Sequence, residues 1–126
     1  MRKNLLPTKP QLLGKLGEDF ACQYLQTCNF RIIDRNVVLL HGELDIVAIS
    51  KKTVVIIEVK TRSNTFFGEP IEAVTKRKLN VLTRTAQLYL QKHPNLPEQV
   101  RIDVVSLIVG AKNEIVSLRH DENVTG

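Results

Sequence analysis

Three segments rich in β-branched and apolar residues follow one another between Phe30 and Arg62, with only tight turns between them. They span residues 30–40, 43–50 and 53–62, and the turns are His41-Gly42 and Lys51-Lys52. Turns this short join neighbouring antiparallel strands. The sequence therefore predicts a three-stranded antiparallel meander, and this prediction limits the folds that the rest of the chain can complete.

An amphipathic helix is predicted before the meander. Apolar residues recur at helical spacing across residues 12–27, and Thr8 with Gln11 three residues later resembles a capping box. Gly14 and Gly17 lie near the apolar face, where glycine lowers helix stability relative to alanine. We therefore expect these glycines to let the helix approach a sheet closely.

The elements after the meander complete an α/β domain. Apolar residues at helical spacing between Ile71 and Leu90 predict a second helix that ends near His93. Residues 99–109 and 114–119 read as two further strands. The order is α-β-β-β-α-β-β, and its simplest packing is one mixed sheet flanked by helices.

Length and charge limit the function. The 126 residues fit one domain, expected at residues 11–120 between a flexible basic arm (1–10) and a polar tail (121–126). Lys and Arg outnumber Asp and Glu by 18 to 13, which favours binding to polyanions such as nucleic acid, although many basic proteins bind nothing specific. Cys22 and Cys28 lack zinc-site spacing, and no segment is long enough to span a bilayer. We expect a reducing cytoplasm and no membrane partner.

The meander carries two features that point to chemistry. Alternation along its third strand places Glu58 and Lys60 on the face of Val54 and Ile56, at the border of an apolar surface. An ordinary cross-strand ion pair would also explain them. Asp45 is disfavoured within a strand and, if strands two and three pair, lies beside Glu58, although a strand-end Asp is the alternative. Two adjacent carboxylates favour a hard divalent cation such as Mg²⁺.

Five segments, in this order, resemble the signature of a known family. They are Gly17-Glu18, Gly42-Glu43-Leu44-Asp45-Ile46-Val47-Ala48, Glu58-Val59-Lys60-Thr61-Arg62, Phe67-Gly68 and Arg101-Ile102-Asp103-Val104-Val105. The chain resembles the bacterial YraN family, also named UPF0102, from about Leu12 to Leu107. That family is similar to the PD-(D/E)XK nucleases, so the resemblance implies a restriction-endonuclease-like α/β fold with a mixed β-sheet flanked by helices.

The resemblance also implies roles for individual residues. Asp45, Glu58 and the carbonyl of Val59 would bind Mg²⁺ or Mn²⁺. Glu18 would complete the site from the first helix, directly or through a metal-bound water. Lys60 would orient or help deprotonate the attacking water and stabilise charge on the phosphate. The catalytic set expected from the sequence is therefore Glu18, Asp45, Glu58 and Lys60.

The implied function is that of a Mg-dependent endonuclease, a phosphodiester hydrolase acting on nucleic acid without sequence specificity. DNA is the favoured substrate, structured or junction DNA included. The residues expected to hold the nucleic-acid backbone are Arg62, Lys76, Arg77, Lys78 and Arg84. A solvated basic helix face is the alternative for them, and Asp103 is expected to pair with a nearby arginine. A catalytically inactive nucleic-acid-binding module and a partner-docking protein are the rival functions, and a homodimer spanning a symmetric junction stays open.

Overall fold

The computed structural model describes residues 6, 8–64 and 68–126. Its elements are α1 (Lys9–Thr27), β1 (Arg31–Leu39), β2 (Gly42–Ser50), β3 (Thr53–Arg62), a 3-10 turn (Pro70–Ala73), α2 (Lys76–Lys92), β4 (Gln99–Val109) and β5 (Ile115–Asp121). This confirms the predicted order α-β-β-β-α-β-β. Phe67 of the family signature, and residues 1–5 and 7 of the predicted arm, lie outside the described residues.

The five strands form one sheet in the order β1-β2-β3-β4-β5. Neighbouring strands are antiparallel except β3 and β4, which run parallel because α2 carries the chain across one face between them. The meander is confirmed, with Ser50 pairing with Thr53 across the Lys51-Lys52 turn. The sheet is mixed and flanked by helices, which confirms the restriction-endonuclease-like α/β class.

The two helices bury opposite faces of the sheet. On one face, Ala21 and Leu25 of α1 pack in a cluster with Ile57 of β3. On the other face, Leu82 of α2 packs in a cluster with Ile56 of β3. Because both faces of β3 are covered, the apolar run 54–57 is continuous rather than alternating, and each of its four side chains is fully buried.

The start of α1 agrees with the sequence prediction for its cap and for one of its two glycines. Thr8 and Gln11 form the expected capping box, and α1 begins at Lys9, inside the predicted arm. A Cβ on Gly17 would overlap the Thr61 side chain of β3, so glycine is required for this close approach. A Cβ on Gly14 would meet nothing within 4 Å, so the prediction is wrong for Gly14.

The second helix starts later than the sequence indicates. Ile71 lies in the 3-10 turn and Val74 ends it, so both apolar residues precede the helix. The chain leaves helical geometry at Val74 and Thr75, and the Thr75 side chain then caps α2 by accepting a hydrogen bond from the backbone of Lys78. The apolar spacing of Ile71 and Val74 therefore resembles helical periodicity although neither residue belongs to α2.

The end of the chain joins the fold. The backbone N–H of Val124 donates to the carbonyl of Ile102 over 2.8 Å, and its side chain packs against the α2-side cluster. Residues 121–126 thus include contacts with the core. Within the described ranges, no helix has the length and apolar character needed to cross a membrane.

Candidate active site

An opening forms between β2 and β3 at Asp45. At this residue the inward-pointing side chains of β2 switch from one face of the sheet to the other. Leu44 belongs to the cluster under α2 and Ile46 to the cluster under α1, although residues two apart in a regular strand share a face. The β2–β3 ladder runs only as far as Ile46 paired with Ile57. Beyond it, Oδ2 of Asp45 accepts a hydrogen bond from the backbone N–H of Val59 over 2.9 Å. Asp45 thus takes the place of a backbone partner, which explains a carboxylate inside a strand.

The neighbouring strand β1 is irregular at the same level. Asn36 lies between the pairs Arg35–Ile46 and Val37–Leu44, opposite Asp45, and has a positive φ of 51°. Asparagine tolerates this conformation better than most residues. Its side chain acts to lower the pKa of Glu18, against the larger effect of burial. Sequence reasoning missed Asn36, and the available signal was an asparagine within a predicted strand, where that residue is disfavoured.

Glu58 is the most enclosed carboxylate of the opening, with 5% of the residue exposed. Its Oε1 lies 3.8 Å from Nζ of Lys60 and 3.4 Å from Nζ of Lys78. The Asp45 carboxylate acts on Glu58 from the neighbouring strand. Burial first, and then the Asp45 charge, raise the pKa of Glu58 to about 7, despite the two ammonium groups. Two carboxylates held this closely need a proton or a cation between them.

The pKa of Lys60 is shifted in the opposite direction. Burial, and then the neighbouring Lys78, lower the pKa of the Lys60 ammonium below its usual value, although the Glu58 charge acts against this. Its side chain is 19% exposed. A lysine with a depressed pKa has a larger neutral fraction and can accept a proton.

Glu18 approaches the same opening from α1. Its Oε1 is buried and has no hydrogen-bond partner among the described residues, and Nη2 of Arg35 lies 3.8 Å from it. Arg35 instead donates to Asp19 over 2.7 Å. Burial first, and then the Asp45 charge, raise the pKa of Glu18, with Arg35 opposing. A buried carboxylate oxygen without a partner is costly, which marks Glu18 as a ligand-binding candidate.

These side chains surround one cavity of about 450 Å³. It brings together all four catalytic candidates, namely Glu18, Asp45, Glu58 and Lys60. Among the predicted backbone-binding residues, Arg62 and Lys78 also line the cavity, whereas Lys76, Arg77 and Arg84 are exposed on α2 and do not. Lys78 does not belong to a fully solvated basic helix face, because it is half-buried and its ammonium turns inward to Glu58.

The donor set suits a hard divalent cation. Glu18, Asp45 and Glu58 offer only oxygen atoms, which Mg²⁺ and Mn²⁺ prefer. The N–H of Val59 faces Asp45, and the carbonyl of a strand residue points to the same side as its N–H, so the Val59 carbonyl also faces the opening. The unpartnered Oε1 of Glu18 is a further free acceptor. These residues fit the metal that the family resemblance implies.

A different cluster holds three potential metal ligands close together. Within the described part of the chain, Asp103, His120 and Glu122 form the group of potential ligands whose atoms all lie within 4.8 Å of one another, and this group could hold a metal ion. Its members already have protein partners, however. Asp103 accepts from Nε of Arg101 over 3.0 Å and from the backbone N–H of Asn123 over 2.9 Å. The expected pairing of Asp103 with an arginine is therefore observed.

A chain of hydrogen bonds runs through the same cluster. The Tyr24 hydroxyl lies 2.9 Å from Nδ1 of His120, and Nε2 of His120 lies 2.8 Å from Oδ2 of Asp103. A neutral imidazole protonated on Nε2 satisfies both contacts. Burial, and then Cys28, raise the pKa of Tyr24 to about 12, so its hydroxyl keeps the proton that it donates. Sequence reasoning could not find this chain of hydrogen bonds, because its three residues lie on α1, β4 and β5.

The fold and the cavity define a class of protein: a restriction-endonuclease-like α/β domain with an acidic, lysine-containing pocket at the opening of its central meander. The family described as "Uncharacterised protein family UPF0102" matches residues 17–107. A UPF0102 protein of Syntrophomonas wolfei is 44% identical over 97 residues, covering 77% of this chain and 84% of that protein. Another, of Dictyoglomus turgidum, is 34% identical over 111 residues, covering 88% and 94%. The chain belongs to the UPF0102 family.

Proposed function

We propose that this protein is a metal-dependent nuclease that hydrolyses phosphodiester bonds in nucleic acid, with DNA as the favoured substrate. The observation that carries the proposal is the meeting of Asp45 and Glu58 at the end of the β2–β3 ladder, with Lys60 on the same cavity. Burial of acidic groups against each other costs stability unless a ligand is bound. A structural role would not explain that arrangement.

Each residue has a task that follows from its environment. Asp45, Glu58 and Glu18, with the Val59 carbonyl, would hold Mg²⁺ or Mn²⁺. The cation, when bound, neutralises charge on the phosphate and makes water a better nucleophile. Lys60, with its lowered pKa, is suited to orient the attacking water and accept its proton. The cavity wall thus combines cation binding with proton transfer.

Substrate binding is supported by charge. The chain carries a net charge of +5, and Arg62 lies at the edge of the cavity with an exposed side chain. Lys76, Arg77 and Arg84 extend a basic surface along α2. Such a surface attracts phosphate backbones without reading base sequence. We therefore infer structure-directed rather than sequence-directed cutting.

The test is cleavage of labelled DNA and RNA structures, including duplexes, flaps and four-way junctions, with Mg²⁺ or Mn²⁺. We expect Asp45→Ala, Glu58→Ala and Lys60→Ala each to lose more than about a hundredfold in rate. Glu98→Ala, which removes an exposed carboxylate outside the cavity, is the matched control and should cut as wild type does.

Two results would contradict the proposal. If folded Asp45→Ala and Glu58→Ala proteins cut as fast as wild type, the cleavage comes from elsewhere. If wild type binds these substrates and never cuts them with either metal, the protein is a nucleic-acid-binding module on the same fold.

A further inference from the structure

We propose that Lys78 is the resident counter-ion of the candidate active site. In the metal-free protein its ammonium neutralises Glu58, it must leave that carboxylate when a divalent cation binds, and it then faces the phosphate of the substrate. This inference rests on the proposed function, because it gives Lys78 a role in the same cavity. The inference gives Lys78 a role different from that of Lys76, Arg77 and Arg84, which would only bind the nucleic-acid backbone.

Two ammonium groups share one carboxylate oxygen, and Lys78 holds it more closely. Its Nζ lies 3.4 Å from Oε1 of Glu58, whereas Nζ of Lys60 lies 3.8 Å away. The Lys78 side chain is 36% exposed and that of Lys60 only 19% exposed. Lys78 therefore makes the closer ion pair while retaining a route into solvent. Of the two, it is the one able to move away.

The position of Lys78 on its helix is unfavourable without this pairing. Lys76, Arg77 and Lys78 occupy the first turn of α2, which contains no acidic residue. The positive end of the helix dipole lies there and disfavours cations. Lys76 and Arg77 are exposed, where solvent screens the repulsion. Lys78 is half-buried, and the carboxylate of Glu58 is the charge that compensates it.

A divalent cation on Glu58 cannot coexist with the close Lys78 contact. Both would occupy the same oxygen, and they repel each other as like charges. Lys78 also lines the cavity, so its ammonium stays beside the reaction centre after it leaves Glu58. A free ammonium at that place suits an anionic phosphate oxygen, to which lysine binds as a point charge.

The first experiment measures Mn²⁺ binding to the full chain by calorimetry, without nucleic acid. Lys78→Gln and Arg77→Gln each remove one positive charge from neighbouring positions of α2. The two variants therefore change the long-range electrostatic field of the protein by the same amount. We expect Lys78→Gln to bind Mn²⁺ about fivefold more tightly than Arg77→Gln, because only the former removes a competitor for Glu58. Lys78→Arg keeps the charge and should stay within about twofold of wild type.

The outcomes separate this inference from the proposed function. Wild type that binds no Mn²⁺ overturns the proposed function and the inference together. Wild type that binds Mn²⁺, with equal affinities for Lys78→Gln and Arg77→Gln, overturns the inference alone. All variants are first checked for the wild-type unfolding transition, and Lys78→Arg shows whether charge or side-chain volume is responsible.

Cleavage kinetics then test the contact with phosphate. Lys78→Gln should lower kcat about tenfold or more with little change in KM, because its contact forms at the reacting phosphate. Arg77→Gln should instead raise KM, as a contact to the backbone alone would. If Lys78→Gln raises KM and leaves kcat unchanged, Lys78 is an ordinary backbone contact and its role at the reaction centre is refuted.

Discussion

Glu58 and Asp103 are buried one register position apart on β3 and β4, in clusters that extend toward opposite ends of these strands, and the surroundings of the two carboxylates differ in kind. Asp103 is fully buried, yet hydrogen bonds from His120, the Asn123 backbone and Arg101 outweigh the effect of burial and lower its pKa. Glu58 is nearly as buried, but its neighbour is another carboxylate and its pKa rises to about 7. Burial alone therefore does not distinguish a functional from a structural carboxylate. The two carboxylates differ in whether their cationic and hydrogen-bonding partners outweigh burial, as they do at Asp103, or are outweighed by burial and a second carboxylate, as at Glu58.

The contrast extends to neighbouring atoms. At the Asp103 end, Tyr24 and His120 continue a chain of satisfied hydrogen bonds. At the Glu58 end, Oε1 of Glu18 is buried and finds no hydrogen-bond partner in the part of the chain that the structure describes. Unsatisfied polar atoms are rare in native proteins and cost free energy. The pocket end is thus less stable than it would be with paired or apolar groups, as expected of a site that binds a ligand.

The largest expected difference between the two ends is in global stability. Asp103→Ala leaves Arg101 and His120 without their buried partner, so the free energy of unfolding should fall by about 3–5 kcal/mol. Glu58→Gln removes a carboxylate whose charge is disfavoured by burial and by Asp45 more than it is favoured by Lys78 and Lys60, so stability should stay unchanged or rise despite the lost Lys78 pair. Urea denaturation at pH 8 with EDTA measures both variants. A Glu58→Gln protein destabilised as much as Asp103→Ala would remove the distinction between the two ends.

The pH dependence of stability should differ in sign. The pKa of Glu58 is about 7 in the folded chain, above its ordinary 4.5. The folded state therefore binds the proton more tightly, and this stabilisation, on the order of 3 kcal/mol, is present below pH 4.5 and lost as the pH rises to about 7. For Asp103, whose pKa is lowered, the contribution is present above its ordinary 3.8 and lost in more acidic solution.

The measurement is urea denaturation in EDTA across the pH range 4–8, for wild type and Glu58→Gln. The difference in unfolding free energy between the two proteins should change across the window 4.5–7, with wild type losing stability as the pH rises. Mg²⁺ at pH 8 should restore part of the loss in wild type only. A difference that is flat with pH would show that Glu58 has an ordinary pKa in the folded chain.

The sequence predicted the meander and β4 well because both have strong local signals. Tight turns and an apolar run fix β3 between Thr53 and Arg62 without reference to the rest of the fold. The helix prediction was wrong at Ile71 and Val74. A separate 3-10 turn begins at Pro70, and α2 begins only after its cap at Thr75. Spacing along the chain also could not show that Lys78 turns inward, because its direction depends on the tertiary packing of α2 against the sheet.

The two ends also differ in how much of the site the sequence could supply. Glu58 and Lys60 are two apart on one strand, so their common facing follows from the period of a strand. Tyr24, Asp103 and His120 are far apart in the chain and meet only through sheet order. Asn36 has the same limitation, since its effect on Glu18 requires α1 to lie over β1. Local rules therefore found the strand pair and, through the tight turn, its neighbour Asp45, but they missed Asn36 and the contacts among Tyr24, His120 and Asp103.

The smallest expected effect compares single hydrogen-bonding atoms at the two ends. Tyr24→Phe removes the donor to Nδ1 of His120 and leaves a half-buried nitrogen unpaired, so we expect a loss of about 1 kcal/mol. Glu18→Gln changes a carboxylate whose Oε1 has no partner, so its stability in EDTA should not fall. Urea denaturation of both variants at one pH measures their unfolding free energies, and Mn²⁺ affinity is a second measurement for Glu18→Gln. If Glu18→Gln lost more stability than Tyr24→Phe while binding Mn²⁺ unchanged, Glu18 would belong with Asp103 among the structural carboxylates.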